Sequence, residues 1–325
     1  MAKPRAFISG IAGFAGSHLA EELLGAGYDV AGSVLPGESL INLASAGRRV
    51  KTYRLNILEA GRCRALMKRL RPDFIFHLAA MASVGKSFGA ERQTYRVNFE
   101  GTLNLLEACS GMSQLKRFLF VSSCDCYGVF KPKQKTLSEE HPLNPVSPYA
   151  VSKAAAEQLC KYHFRQYGVP VVIARSFNHS GPRQNPSFVI PSFARQIAMV
   201  EANRQKPKMM VGDLSVRRDI SDVRDIATGY RLLAERGRVG EVYNLCSGRA
   251  VSIRSILDRL LRFSSRSIAV SVDQKRLRKI DIPCLRGSNH KVVQELGLKA
   301  RYTLTSTLRD TLDSFRKELG VDERT

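Results

Sequence analysis

Apolar residues in the first half of the chain fall into short runs that suit buried strands. Longer stretches separate them, in which apolar positions recur every three to four residues, as on one face of a helix. Strand-like runs lie at 5–9, 28–33, 51–55, 73–80, 116–123 and 169–175. Helical stretches lie at 59–70, 94–109 and 149–167, and SHLAEELLGAG makes the first helix. Strands alternating with helices in this way predict an α/β fold with a doubly wound parallel sheet. Ligands of such sheets sit beyond the carboxyl ends of the strands, and candidate chemistry is sought there.

The first strand runs into Gly10-Ile-Ala-Gly13-Phe-Ala-Gly16 and then directly into a helix, the setting a dinucleotide-binding turn needs. Glycines let backbone amides close on a pyrophosphate, and the helix N-terminus offsets its charge. The spacing is Gly-x-x-Gly-x-x-Gly, not the commoner Gly-x-Gly-x-x-Gly. After the second strand, Ser33, Val34 and Leu35 stand where an acid would bind the adenine ribose hydroxyls, and Glu38 comes only later. The missing acid favours NADP over NAD, with Arg48 or Arg49 as partners of a 2′-phosphate. Asn56 and Ile57 mark the expected adenine edge, and the small Ala79 and Ala80 that end DFIFHLAA permit close approach of a cofactor. His77 reads as a packed histidine rather than a catalyst. Asn98, inside a helical stretch, either bonds backbone and bends the helix near the site or faces solvent.

The strand 116–123 delivers SSCDCYG (122–128), and PYAVSK (148–153) opens the next helix, so Ser123, Tyr149 and Lys153 could converge on one carbonyl. A tyrosine four residues before a lysine lies one helical turn from it on the same face. The ammonium would then stabilise the phenolate and lower a phenol pKa that otherwise sits near ~10. A tyrosine so tuned passes a proton to or from a sugar oxygen, while a serine hydroxyl holds that oxygen.

Composition adds constraints to this picture. With 325 residues, 44% of them apolar, the chain can bury a large core. Its formal charge of +22, from 51 Lys and Arg against 29 Asp and Glu, calls for an anionic partner. Phosphorylated cofactors and nucleotide sugars fit, as do nucleic acids and membrane surfaces. No RNA-module signature accompanies the charge, whose densest run is Lys275, Arg276, Arg278 and Lys279, so a nucleic-acid partner is not expected. Seven cysteines with no Cys-x-x-Cys pairing read as reduced thiols, with no metal site, although Cys124 and Cys126 flank Asp125. MAKPRAFISG passes straight into a strand without an apolar leader, and no apolar run approaches ~18 residues. A cytoplasmic protein without membrane contact is the expectation.

Taken together, the glycine turn, HLAA, the Asn98-Phe-Glu-Gly101-Thr102 segment, SSCDCYG and Tyr149-x-x-x-Lys153 resemble the extended short-chain dehydrogenase/reductases that act on nucleotide sugars. The resemblance covers essentially the whole chain. It implies a Rossmann sheet with a smaller, interleaved C-terminal α/β lobe for substrate, divided approximately into 1–175 and 176–325. It also implies a catalytic set of Ser123, Tyr149 and Lys153, with Asp125 in reach of substrate. The implied cofactor lining is Gly10, Gly13, Phe14, Ala15, Gly16, Ser33, Asn56, Ile57, Leu78, Ala79, Ala80, Asn98 and Val121, together with Tyr149 and Lys153.

The second half is similar to the GDP-6-deoxy-4-keto-mannose reductases, relatives of GDP-mannose 4,6-dehydratase, in ARSFNHSGPRQ, FVIPSFARQIA, VGDLSVRRDISDVRD and RKIDIPCLRG. By that likeness Ser123 and Asn178 would hold the sugar or its phosphates, and Val189 and Arg195 would line the nucleotide cleft. Arg218 and Arg278 would grip the diphosphate, as guanidinium forks do well; Arg217 either shares this or faces water. Helices are expected at 189–203, 223–236 and 253–263, strands near 208–211 and 241–245, and a frayed tail at GVDERT. Helices 94–109 and 149–167 are apolar on more than one side. In this family such a pair forms a dimer's four-helix bundle, which implies a homodimer; contact within one subunit is the alternative.

Dehydratases of the group carry threonine and acidic residues at the serine stretch, because eliminating water needs an acid for the leaving hydroxyl and a base for the C5 proton. Here Ser123, Cys124 and Asp125 occupy those places, which favours a 4-keto reductase using NADPH, or NADH, on a GDP-linked 4-keto-6-deoxy sugar to give a product such as GDP-rhamnose. The alternatives are a 4-epimerase or 4,6-dehydratase with bound NAD(P), and, in another class, a non-catalytic basic Rossmann protein that binds RNA or a partner.

Overall fold

The computed structural model describes residues 2–129, 136–277 and 282–321, so Arg278, Lys279 and the end of the GVDERT tail lie outside the described residues. The first half folds as β1 (Arg5–Ser9), α1 (Phe14–Gly25), β2 (Asp29–Val34), β3 (Val50–Arg54), α2 (Ala60–Leu70), β4 (Phe74–His77), α3 (Val84–Ser87), α4 (Glu91–Tyr95), α5 (Gly101–Cys109), β5 (Arg117–Ser123), α6 (Pro148–Tyr167) and β6 (Val171–Ser176). The second half continues with β7 (Asn178–Ser180), α7 (Val189–Glu201), β8 (Lys208–Val211), β9 (Arg217–Asp222), α8 (Val223–Arg236), β10 (Val242–Leu245), β11 (Ala250–Ser252), α9 (Ile253–Leu261), β12 (Ala269–Val272), β13 (Cys284–Leu285), α10 (His290–Leu296) and α11 (Leu304–Leu319).

Among the described residues, seven strands form one sheet in the order β10-β6-β5-β4-β1-β2-β3. Every neighbouring pair is parallel. The order reverses between β1 and β4, where a dinucleotide crevice opens in doubly wound sheets. One face buries Leu19, Leu23, Ile226, Tyr230 and Leu233 of α1 and α8, and the other buries Leu66, Met67, Leu105, Leu106, Ala156 and Cys160 of α2, α5 and α6. Each large apolar side chain so buried contributes roughly 1.5–3 kcal/mol against exposure. β10 and α8 lie beyond residue 175 in sequence yet complete the first sheet and its α1 face, so the two halves interleave.

The second core collects α7, α9 and α11 around β8, with Phe193, Ile197, Ile256, Leu260, Leu308 and Leu312. β9 stands between β11 and β13 in a small mixed sheet and also pairs β7. Among the described residues no helix is long and apolar enough to cross a membrane. The seven cysteines are free thiols, and all but Cys284 are buried.

Two elements depart from the sequence expectation. The strand expected over 73–80 ends at His77, because the next two amides, of Leu78 and Ala79, donate to the Ser9 hydroxyl at 3.1 Å. The helix expected over 94–109 is broken by a π-turn at Arg96–Glu100. Asn98, inside that turn and 1% exposed, has its side chain committed to Met81 backbone (2.8 and 3.2 Å) and to Ser152 Oγ (2.9 Å). Of the two readings of Asn98, the bend near the site is the one present. π-turns of this kind occur most often at functional sites.

Candidate active site

The glycine turn is built for close approach. Gly10, at φ +74°, donates its amide to the Ser33 carbonyl at 3.1 Å, and a Cβ there would sit 3.1 Å from Ala79 backbone. A Cβ at Gly16 would collide with the Gly10 carbonyl, so the first turn of α1 rests directly on the glycine loop. Gly13 caps α1 without any side-chain acceptor, which leaves first-turn amides for a ligand's phosphate. Phe14 and Ala15 are half-buried beside it, and Phe14 stacks on His179 at 5.8 Å between centroids.

Behind the turn, His77 is 1% exposed and bonds Ser9 Oγ (2.7 Å) and Thr102 Oγ1 (2.9 Å). Ser9 already accepts two amides and therefore donates to Nδ1, so the proton of His77 sits on Nε2. Burial, with the Lys153 charge nearby, pulls its pKa down to about 3 and keeps it neutral. It is the packed histidine the sequence suggested.

At the end of β2, Ser33 is buried and serves Gly10 with both its carbonyl and its hydroxyl, the latter at 3.3 Å. The Glu38 carboxylate accepts from the Leu35 amide at 2.8 Å. The arginine that reaches this loop is Arg54, which donates to the carbonyls of Leu35 (2.9 Å) and Glu38 (3.0 Å). Arg49 instead donates to Ser45 and Ala46 carbonyls. Arg54 is distant along the chain from the segment after β2 and reaches it because parallel pairing sets β3 in register, Val34 opposite Arg54. Asn56 Oδ1 caps the Leu58 amide, and Ile57 is buried beneath Gly101, where a Cβ would lie 2.5 Å from its Cδ1.

Ser123 ends β5 and caps a short 3₁₀ turn over Cys124–Tyr127. Its hydroxyl accepts from the Asp125 amide (3.2 Å) and donates to Asp125 Oδ2 (3.0 Å). Tyr149 enters at the start of α6, where Ser147 is the N-cap and Pro148 fixes the first turn. Its phenol is buried near Ser123 and Asp125. Burial raises the phenol pKa well above its ordinary value, and the Asp125 charge adds to this.

Lys153 is not among the largest influences on that phenol. The Lys153 ammonium donates to the Val121 carbonyl at 2.6 Å and sits 4.7 Å from the centre of the Phe120 ring. Burial pulls its own pKa down to about 8. Tyr149 and Lys153 do share a helix face, but in this structure the cation is spent on the strand beside it.

The expected substrate residues are spread over the second lobe. Asn178 is exposed at the start of β7, Val189 is 40% exposed at the start of α7, and Arg195 is half-buried on α7. Arg195 lines a cavity of about 560 Å³ together with Ser192, Lys206, Lys208, Met210 and Arg276. Lys206 and Lys208 went unremarked in the sequence, and Arg276 entered only as part of a charge run. Arg218 is 8% exposed and donates through Nη1 to the carbonyls of Arg217 (2.9 Å) and Ile282 (2.6 Å), so one arm of its guanidinium is held by backbone. Arg217 is exposed and donates to the Ala250 carbonyl. Arg278 lies outside the described residues.

A strand-order switch at a glycine turn, with a serine strand end facing a Tyr-x-x-x-Lys helix, defines the class of extended short-chain dehydrogenase/reductases. A family model described as GDP-mannose 4,6 dehydratase matches residues 7–311. The chain is 35% identical over 315 residues to the GDP-6-deoxy-D-mannose reductase of Pseudomonas aeruginosa, which covers 97% of this chain and 98% of that one. Among solved structures, RMD from Pseudomonas aeruginosa complexed with NADPH is similar at TM-score 0.83 and 34% identity, over 97% of this chain and 100% of that chain. The UDP-glucose 4-epimerase of Thermotoga maritima with UDP-glucose is similar at TM-score 0.87 and 27% identity, over 97% and 99%. The chain therefore belongs to the GDP-mannose 4,6-dehydratase family of NAD(P)-dependent nucleotide-sugar enzymes.

Proposed function

We propose that this chain reduces the C4 ketone of a GDP-4-keto-6-deoxyhexose with NADPH, or less readily NADH, to give a GDP-6-deoxyhexose such as GDP-rhamnose. The observation that carries it is the corner of Ser123, Tyr149 and Asp125, combined with a thiol at the position where an eliminating enzyme needs an acid. Cys124 is 1% exposed and burial raises its pKa well above the ordinary thiol value, so it offers no proton-transfer group at neutral pH. The likeness to a GDP-6-deoxy-D-mannose reductase supports the same substrate class.

The glycine turn suits a dinucleotide, since its three glycines leave backbone where side chains would intrude. Gly10, Gly13, Phe14, Ala15 and Gly16 would hold the pyrophosphate, Arg54 a 2′-phosphate, and Asn56 and Ile57 the adenine. Leu78, Ala79, Ala80, Asn98 and Val121 would line the path to the reacting end. When bound, the reduced nicotinamide supplies a hydride to the sugar's C4. Ser123 steadies the carbonyl oxygen as it gains charge, and Tyr149 gives that oxygen its proton. A phenol whose pKa is raised in the free site is protonated at the outset, as a proton donor in the reducing direction must be. Lys153 would turn from Val121 to the ribose and the phenolate left behind. Asn178, Val189, Arg195, Arg218 and Arg278 would receive the GDP moiety in the 176–325 half, with Lys206, Lys208 and Arg276 as further cations. Exposed Tyr95, Val151, Tyr162 and Tyr167 on α4 and α6 suit a homodimer through a four-helix bundle, which light scattering tests directly.

The deciding experiment follows absorbance at 340 nm with purified protein, NADPH or NADH, and GDP-4-keto-6-deoxy-mannose. Stoichiometric oxidation supports the reductase. Conversion of GDP-mannose by the protein alone, without net oxidation, replaces it with the dehydratase, the reading the family model's description favours.

A further inference from the structure

Beneath the candidate site lies a buried ion pair that the proposed chemistry does not use. Glu157 is 0% exposed and Arg175 3%. Glu157 stands one helical turn after Lys153 and two after Tyr149 on α6, so the three share a face. Arg175, on β6, donates Nε to both carboxylate oxygens at 3.0 and 3.2 Å and Nη2 to Oε2 at 2.8 Å. The same carboxylate accepts the hydroxyl of Ser122, the residue before Ser123, at 2.5 Å. Nη1 of Arg175 donates to the Tyr127 hydroxyl at 3.0 Å, and that hydroxyl donates to Asn244 Oδ1 at 2.7 Å. Both ends of the turn that carries Ser123 and Asp125, residues 122 and 127, are therefore fastened to one ion pair. One partner of that pair grows from the helix that carries Tyr149 and Lys153.

We propose that the Glu157–Arg175 pair is a positioning device for the reduction, fixing the Ser123 turn against α6 and holding a negative charge beneath Lys153. This rests on the reductase reading. Other stabilising roles explain the arrangement less well, because replacing a buried ion pair with apolar residues is often neutral for stability.

The groups around Lys153 assign the charge. His77 on β4 is neutral, and Arg175 on β6 is engaged by Glu157. The thiols of Cys126 on the turn and Cys160 on α6 remain protonated at neutral pH, the first pushed up to about 12 by burial and the second raised well above the ordinary value. Asp125 acts on Tyr149 from the turn. Glu157, its charge partly offset by Arg175, is then the carboxylate that acts on the Lys153 ammonium from within its own helix. Both pair members are positioning residues, since neither lies against the ketone.

The test is Glu157→Gln, which keeps the shape and removes the charge. With NADPH and GDP-4-keto-6-deoxy-mannose, kcat should fall by about tenfold or more while both KM values move less than about threefold. The alkaline limb of the kcat/KM profile, expected near pH 8 from Lys153, should shift lower. Glu157→Asp restores the charge but shortens the tether, so the limb should return while kcat stays low. If Glu157→Gln fails to fold, Glu157→Gln with Arg175→Met leaves no unpaired charge and should fold with the same kcat loss. Unchanged kcat and an unmoved limb in a folded variant overturn the proposal. Titration of Lys153 by ¹³Cε NMR needs no substrate. If wild-type protein reduces no GDP-keto sugar, the reductase reading fails, and an unmoved Lys153 titration in Glu157→Gln would overturn the charge role independently.

Discussion

The 122–153 corner and the cleft beside α7 would meet opposite ends of the proposed substrate, and they are built by opposite means. In the corner, Ser123, Tyr149 and Lys153 are each less than a tenth exposed, and Ser123 and Lys153 already hold protein partners. In the cleft, Lys206, Lys208 and Arg276 are exposed around an open cavity, and Arg276 has Asp273 at 3.6 Å and Ser192 Oγ at 3.4 Å. A group that moves a proton must be held to within a fraction of an ångström, and burial also sets its protonation. Cations that receive a diphosphate can stay solvated and flexible until the ligand orders them, contributing affinity and attraction over distance. The corner should therefore fail in turnover when altered, and the cleft in KM.

The largest expected effect is Tyr149→Phe, which should lower kcat by roughly 10²-fold or more while NADPH binding, followed by fluorescence, stays near wild type. Near-normal turnover would remove Tyr149 from the chemistry and with it the contrast. Next comes pH. Burial holds the Lys153 pKa near 8, below its ordinary value, so its ammonium is present below that pH and lost above it. kcat/KM should be flat up to about pH 7, halve near pH 8 and fall about tenfold by pH 9, measured by steady-state NADPH oxidation; a flat profile to pH 10 would contradict it. Arg54→Ala should raise KM for NADPH about tenfold and leave NADH nearly unaffected, the size of one charged hydrogen bond. Equal loss with both cofactors would mean that Arg54 supports the loop rather than a phosphate. The smallest effect is expected from Lys208→Ala, a threefold or smaller rise in KM for the GDP-sugar that disappears at high salt, with kcat unchanged. A kcat defect there would erase the distinction between the two regions.

Much of this was legible in the sequence because it is local. The glycine turn, the strand-end serine and the Tyr-x-x-x-Lys spacing each lie within a few residues, and the alternation of strand and helix sets the order in which they reach the sheet edge. What escaped involved partners far apart in the chain. Arg54 lies 19 residues from the carbonyl of Leu35 to which it bonds, and Glu157 lies 35 from Ser122 and 18 from Arg175. The Lys153 ammonium was read as a neighbour of Tyr149 because they share a helix face, yet the carbonyl of Val121, on a strand packed against that face, is what it found.

The sequence by itself determined the alternation of strands and helices and the residue types that could carry a reduction, because periodicity and short spacings encode them directly. Only the tertiary structure decided which side chain each polar group meets, and so the direction of every pKa shift in the site. Those depend on burial and on contacts between strands and helices that the chain brings together only when it closes.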